Sequence, residues 1–87
     1  MFYVYMIKNP NNDLYIGVSE NPKKRLSTHN ENAGALFTKR DNKFHIVFLE
    51  DYQTLTEARK REIQLKKWRR GKKEVLIERY KKGLNTK

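Results

Sequence analysis

Two β-prone runs joined by a short polar turn open the chain and limit what it can become. Phe2 to Lys8 alternates aromatic and branched residues, and Leu14 to Val18 does the same over a shorter span. Between them, Asn9-Pro10-Asn11-Asn12-Asp13 is a dense turn signal. The first eighteen residues therefore read as a β-hairpin with a five-residue loop. A lone hairpin is marginal in water, so the remaining residues must supply a third strand and helices to cover it.

They do so in a readable order. Asn21 can cap a helix that Pro22 opens, since proline at the first helical position already has the required φ. This helix is expected to reach about Asn30, with loop from Asn32 to Arg40 around Gly34. Phe44 to Leu49 reads as a third strand. Thr54 or Thr56 can cap a second helix from Glu57 to about Arg70, broken by Gly71. Lys72 to Lys82 reads as the last helix, ended by Gly83. The expected fold is α+β in the order ββαβαα: a small three-stranded antiparallel sheet flanked by helices, one domain over residues 1–87.

Composition narrows the chemistry. With 87 residues there is room for one small core. No run of apolar residues is long enough to span a bilayer. Met1 to Ile7 lacks the basic start and cleavage site of a signal peptide. Cysteine is absent, which removes disulfides, zinc thiolates and thiol nucleophiles, and fits a cytoplasmic location. The net charge is +10, unevenly placed. Residues 1–55 hold seven Lys/Arg and six Asp/Glu, whereas residues 56–87 hold thirteen and four. A basic segment of that density points to a polyanion, with nucleic acid ahead of a membrane surface. Trp68 and a few aliphatics there are needed for the core, which leaves little for a lipid-facing side. Arg25, Lys66, Lys67, Arg69, Arg70, Lys72 and Lys73 are the candidate phosphate contacts.

A few residues stand out chemically. Leu55, Ala58, Leu65 and Trp68 cluster on one side of the second helix, and Glu62 falls inside that cluster. A carboxylate there needs a partner. Either it pairs with Arg or Lys at the rim, or it holds a hard cation such as Mg²⁺. Arg25 and His29 share a helix face, as a plain surface pair or as a phosphate grip beside a proton acceptor. Tyr3, Tyr5 and Tyr15 lie on the hairpin, where packing is the default role. Gly17 within a strand marks a bulge or the close approach of another backbone or a ligand. His45 reads as a partly exposed strand residue.

The order Tyr3-Val4-Tyr5, Tyr15-Ile16-Gly17, Arg25, His29 and Glu62 resembles the GIY-YIG nuclease superfamily, in particular its small stand-alone bacterial branch. The likeness is sharpest from Leu14 to Asn30 and continues in Glu57 to Trp68. Tyr3-Val4-Tyr5 departs from the first motif and keeps only its tyrosine. The resemblance implies phosphodiester hydrolysis, in DNA ahead of RNA, with one divalent metal, Mg²⁺ or Mn²⁺. It implies Tyr15 as general base or water-positioning group and Tyr5 as its support. It further implies Arg25 on the phosphate, His29 assisting, and Glu62 as metal ligand. The alternative is a nucleic-acid-binding module that keeps the fold and does not cut.

Overall fold

The computed structural model describes residues 1–36 and 43–87, with the backbone alone for 32–36. Six elements follow one another: β1 (Phe2–Lys8), β2 (Leu14–Ser19), α1 (Pro22–Leu36), β3 (His45–Tyr52), α2 (Leu55–Lys66) and α3 (Arg70–Lys81). The order ββαβαα is the expected one. The strands form a single antiparallel sheet in the order β2-β1-β3, so β1 is central.

The hairpin closes where the turn residues require it. The Asn9 side chain accepts from the Asp13 amide at 2.8 Å and donates to the Asp13 carboxylate at 3.0 Å. Asn12 takes the left-handed conformation, φ 69°, which asparagine tolerates better than most residues. The register pairs Tyr5 with Gly17 and Ile7 with Tyr15.

Because strand side chains alternate, β1 feeds two cores. Val4 and Met6 pack with Phe48 of β3, Ala58 and Leu65 of α2, and Leu76 and Ile77 of α3. Tyr5 and Ile7 face the other way and pack with Phe44 and with Leu26 of α1. The sheet thus separates α1 on one side from α2 and α3 on the other.

Helix ends depart from the expectations in instructive ways. Asn21 caps α1 as expected, accepting from the Lys24 amide at 3.2 Å. The helix continues past Asn30 to Leu36, through Gly34; the rest of the expected loop, residues 37–40, lies outside the described residues. Thr54, not Thr56, caps α2. Its hydroxyl accepts from the Glu57 amide at 3.2 Å and donates to the Glu57 carboxylate at 2.9 Å. Leu55 starts the helix beyond the edge of the core and is 40% exposed, so it does not join the inward cluster. The break between α2 and α3 falls at Lys67–Arg69 rather than at Gly71, which sits in the first turn of α3. Trp68 marks the break: it packs against the core, with Lys72 4.1 Å and Arg61 5.3 Å from its ring. Gly83 ends α3 in the left-handed conformation, φ 72°.

β3 runs to Tyr52 instead of Leu49, and a tertiary contact explains it. Glu50 is buried on the α2 side and is gripped by Arg61, Nε to Oε1 at 2.9 Å and Nη2 to Oε2 at 3.1 Å. Tyr52 donates its hydroxyl to the same carboxylate at 2.8 Å. Burial and the neighbouring Glu50 hold the Tyr52 phenol far above its ordinary value. A fork-to-carboxylate pair of this kind is costly to break from one side.

A second ionic cluster ties α3 to the hairpin. Glu74 accepts from Lys8 at 2.7 Å and from Arg70 at 2.8 Å, while Arg70 also donates to the Asn12 carbonyl at 2.6 Å. These bonds hold the Glu74 carboxyl below its ordinary value of 4.5, Lys8 contributing most. The stabilisation is therefore complete above the ordinary carboxylate range and is lost as pH falls through the lowered folded value. Both partners are partly exposed, which limits the effect to roughly 1 kcal/mol. Glu74→Gln should melt a few degrees (about 4–8 °C) below wild type at pH 7, and the gap should narrow as pH falls through the lowered Glu74 value. Thermal melts followed by circular dichroism across that range check it.

Candidate active site

The hairpin and α1 enclose a cavity of about 420 Å³ on the α1 side of the sheet, lined by Tyr5, Ile7, Tyr15, Ile16, Arg25, Thr28 and His29. Its floor is set by one close approach. The Tyr5 ring lies over Gly17, so that a Cβ there would stand 2.4 Å from the phenolic oxygen and 2.6 Å from Cζ. This is the close approach that a glycine in the strand announces. Tyr5 is nearly buried, whereas Tyr15 is 53% exposed and presents its ring to solvent.

The opposite wall is α1. Its Asn21 cap and Pro22 start place Arg25 one turn in and His29 one turn further, on one face. The His29 ring lies 5.6 Å from that of Tyr15, and both meet Phe44, at 4.6 and 5.3 Å between centroids. Arg25 is exposed, and among the described residues its guanidinium has no hydrogen bond or ion pair. Among the described residues no carboxylate lines the cavity. One uncommitted cation, two phenols and an imidazole form a pocket suited to an anion, with groups beside it that can hold or take a proton.

Four of the five candidate residues, Tyr5, Tyr15, Arg25 and His29, therefore converge. Glu62 does not line the cavity. It lies on α2, across the sheet, with its side chain only 13% exposed. Lys66 Nζ is 3.3 Å from its carboxylate and Arg59 4.0 Å, so the ion pairing that helix spacing offered is formed. Helix geometry also fixes its heading. Ala58 and Leu65 point into the sheet, and Arg61 reaches to Glu50 on β3. Glu62, 100° further round, is turned towards the β2 side. β2 is an edge strand. The cavity and Glu62 thus flank the same strand from its two faces.

No group of three or more potential metal-binding side chains exists among the described residues. The donor set available to a metal is a single carboxylate. That fits the mode in which Mg²⁺ keeps most of its waters and draws other oxygens from a substrate phosphate.

The basic residues divide as well. Lys66 is engaged by Glu62, Arg70 by Glu74 and Asn12, and Lys72 by the Trp68 ring. Lys67 and Arg69 are exposed and make no such contact among the described residues, and Lys73 makes none either. All of these sit on the α2–α3 side, and only Arg25 belongs to the cavity. Phe44 and Asn30 escaped the sequence reading. Phe44 looks like an ordinary strand residue, and nothing local to Asn30 signals a contact fourteen residues away.

Comparison with known proteins identifies the family. The family model of the GIY-YIG catalytic domain matches residues 1–74. The chain belongs to the GIY-YIG family. Membership carries with it a nuclease-type activity and a nucleic-acid substrate. The chain is 39% identical over 75 residues to UPF0213 proteins of Staphylococcus aureus, among them those of strains Mu3 and N315, covering 86% of this chain and 92% of theirs. The solution NMR structure of a UPF0213 protein from Bacillus halodurans is similar in fold. Its TM-score is 0.57 at 28% identity, over 90% of this chain and 84% of that one. In this GIY-YIG chain the second motif supplies Tyr15 and Gly17, and the first supplies Tyr5, whose ring needs the bare backbone of Gly17. No helix among the described residues is long and apolar enough to cross a membrane.

Gly17→Ala tests the floor of the cavity. The added methyl must displace the Tyr5 ring, an overpacking change expected to cost about 1–3 kcal/mol. Urea denaturation should show that loss, and the tyrosine resonances of Tyr5 should shift. Tyr5→Leu in the same background should recover much of the stability.

Proposed function

We propose that the chain is a metal-dependent endonuclease that hydrolyses phosphodiester bonds in DNA, with selectivity for structure rather than base sequence. The observation that carries this reading is the Arg25 guanidinium beside Tyr5, Tyr15 and His29, in a cavity where no described residue pairs with it and none offers a carboxylate.

A phosphodiester is anionic and repels a nucleophilic oxygen. Arg25 offers a planar, permanently charged fork for the phosphate, and it loses no existing partner among the described residues on binding. Tyr15 and His29 stand side by side at the cavity wall, so one can orient the attacking water while the other accepts its proton. Water oxygen bonds to phosphorus, the bond to the leaving sugar oxygen breaks, and that oxygen takes up a proton. Tyr5, held over Gly17, fixes the height at which the substrate meets the floor. Glu62 would hold Mg²⁺ or Mn²⁺, which on binding supplies positive charge at the phosphate. Lys66 and Arg59 must then give up the carboxylate.

The exposed cations of α2 and α3, Lys67 and Arg69 among them, supply affinity without sequence information. They lie on the other face of the sheet from the cavity. Nucleic acid that meets both surfaces has to pass around the β2 edge or present more than one arm, which favours bent or branched substrates.

Purified protein incubated with supercoiled, branched and single-stranded DNA and Mg²⁺ should cleave at least one of them. Arg25→Ala and Tyr15→Phe should each lower kcat by about 10²-fold or more. Glu62→Gln should abolish the cleavage that divalent cation supports. Equal background cleavage by wild type and all three variants would defeat the proposal. The engagement of Glu62 by Lys66 favours one second reading, a module that binds nucleic acid without cutting it. That reading predicts binding unaffected by Glu62→Gln. On either reading, Lys67→Gln with Arg69→Gln should weaken binding for all sequences. The slope of log affinity against log salt should fall by about one unit per residue. Fluorescence anisotropy from 50 to 300 mM salt measures it.

A further inference from the structure

Two residues outside the family motifs join the three elements that carry the cavity. Asn30, the residue after His29 on α1, reaches across to Phe44, the residue just before β3. Its Oδ1 accepts from the Phe44 amide at 2.7 Å, and its Nδ2 donates to the Phe44 carbonyl at 3.1 Å. A carboxamide carries its donor and its acceptor on separate atoms, so it can meet the N–H and the C=O of one residue at once. The pair of bonds copies the pairing of a neighbouring strand and fixes Phe44 against α1.

Phe44 is buried, with 6% of its surface exposed. Its ring stands at 88° to His29, with centroids 4.6 Å apart, and at 66° to Tyr15, 5.3 Å apart. Edge-to-face contacts of this kind are favoured geometries and restrict the partner's rotamer. His29 has no hydrogen bond among the described residues, so ring packing is what orients its imidazole there. The same applies to Tyr15, whose outer face is open.

We propose that Asn30 and Phe44 are positioning residues of the cavity: Asn30 clamps Phe44, and Phe44 sets the orientation of His29 and Tyr15. The inference rests on the hydrolytic reading for its kinetic consequence, while its structural content stands apart from it. Arg25 makes no hydrogen bond or ion pair with either residue, so phosphate binding is left intact when the clamp is removed, and the chemical step suffers.

The experiment compares wild type with Asn30→Ala and Phe44→Leu. Phe44→Leu keeps an apolar side chain in the core and serves if Asn30→Ala does not fold. The first readout is the ring-proton NMR shifts of His29 and Tyr15 in the free protein, which need no cleavage. Loss or displacement of the Phe44 ring should move His29 ring protons by several tenths of a ppm. The second readout is steady-state cleavage, where kcat should fall tenfold or more with KM changed less than threefold. His29 and Tyr15 shifts that stay at their wild-type positions in a folded variant overturn the proposal. So does a variant that raises KM at unchanged kcat. If wild type cleaves nothing, the kinetic reading fails with the nuclease proposal, and the NMR shifts alone decide the clamp.

Discussion

The alternation of side chains along β1 is the constraint on which the other elements depend. Val4 and Met6 go to one face, Tyr5 and Ile7 to the other, and each face needs its own cover. α2 and α3 cover the first with Leu65, Leu76 and Ile77, and α1 covers the second with Leu26. A one-residue slip of this strand would exchange the two sets and leave Tyr5 in the main core, away from Gly17. The bulge between Met6 and Ile7 shows that the pairing with β3 adjusts so that the pairing with β2 need not.

That constraint also decides where chemistry can happen. The face carrying Tyr5 is the one less thickly covered, and α1 crosses it with Arg25 and His29 turned towards the hairpin. The other face carries the larger core and the buried Glu50–Arg61 pair. Glu62 belongs to that second layer and looks out past β2. One strand therefore separates the cavity that Arg25 lines from the Glu62 carboxylate. The concentrated positive charge accompanies the carboxylate, not the cavity. On the proposed reading, affinity and chemistry lie on different layers of the fold, an arrangement that favours selection by substrate shape over base identity.

Much of this is legible in the sequence because it is local. The hairpin is announced by its turn residues, α1 by Asn21-Pro22, and the end of α3 by Gly83. Gly17 announced a close approach, although not that Tyr5 would be the group approaching. What could not be read depends on contacts distant in sequence. β3 outlasts its apolar run because Arg61 neutralises Glu50, eleven residues away. The α2–α3 break follows Trp68 and its cations rather than the glycine, since Gly71 fits a helical first turn without cost. Glu62 looked inward by spacing, but spacing does not say which strand edge it would meet. Asn30 and Phe44 are silent until α1 and β3 are brought together.

The central claim is that the Tyr5, Tyr15, Arg25 and His29 cavity is where the nucleic-acid phosphate sits. Titration of isotope-labelled protein with a short, uncleavable phosphorothioate oligonucleotide tests it most directly, read on the Arg25 guanidinium, the tyrosine rings and the His29 imidazole. The account predicts saturable shifts at all four side chains at the same oligonucleotide concentration. Shifts confined to the α2 and α3 lysines and arginines, with the cavity resonances unmoved, would contradict it.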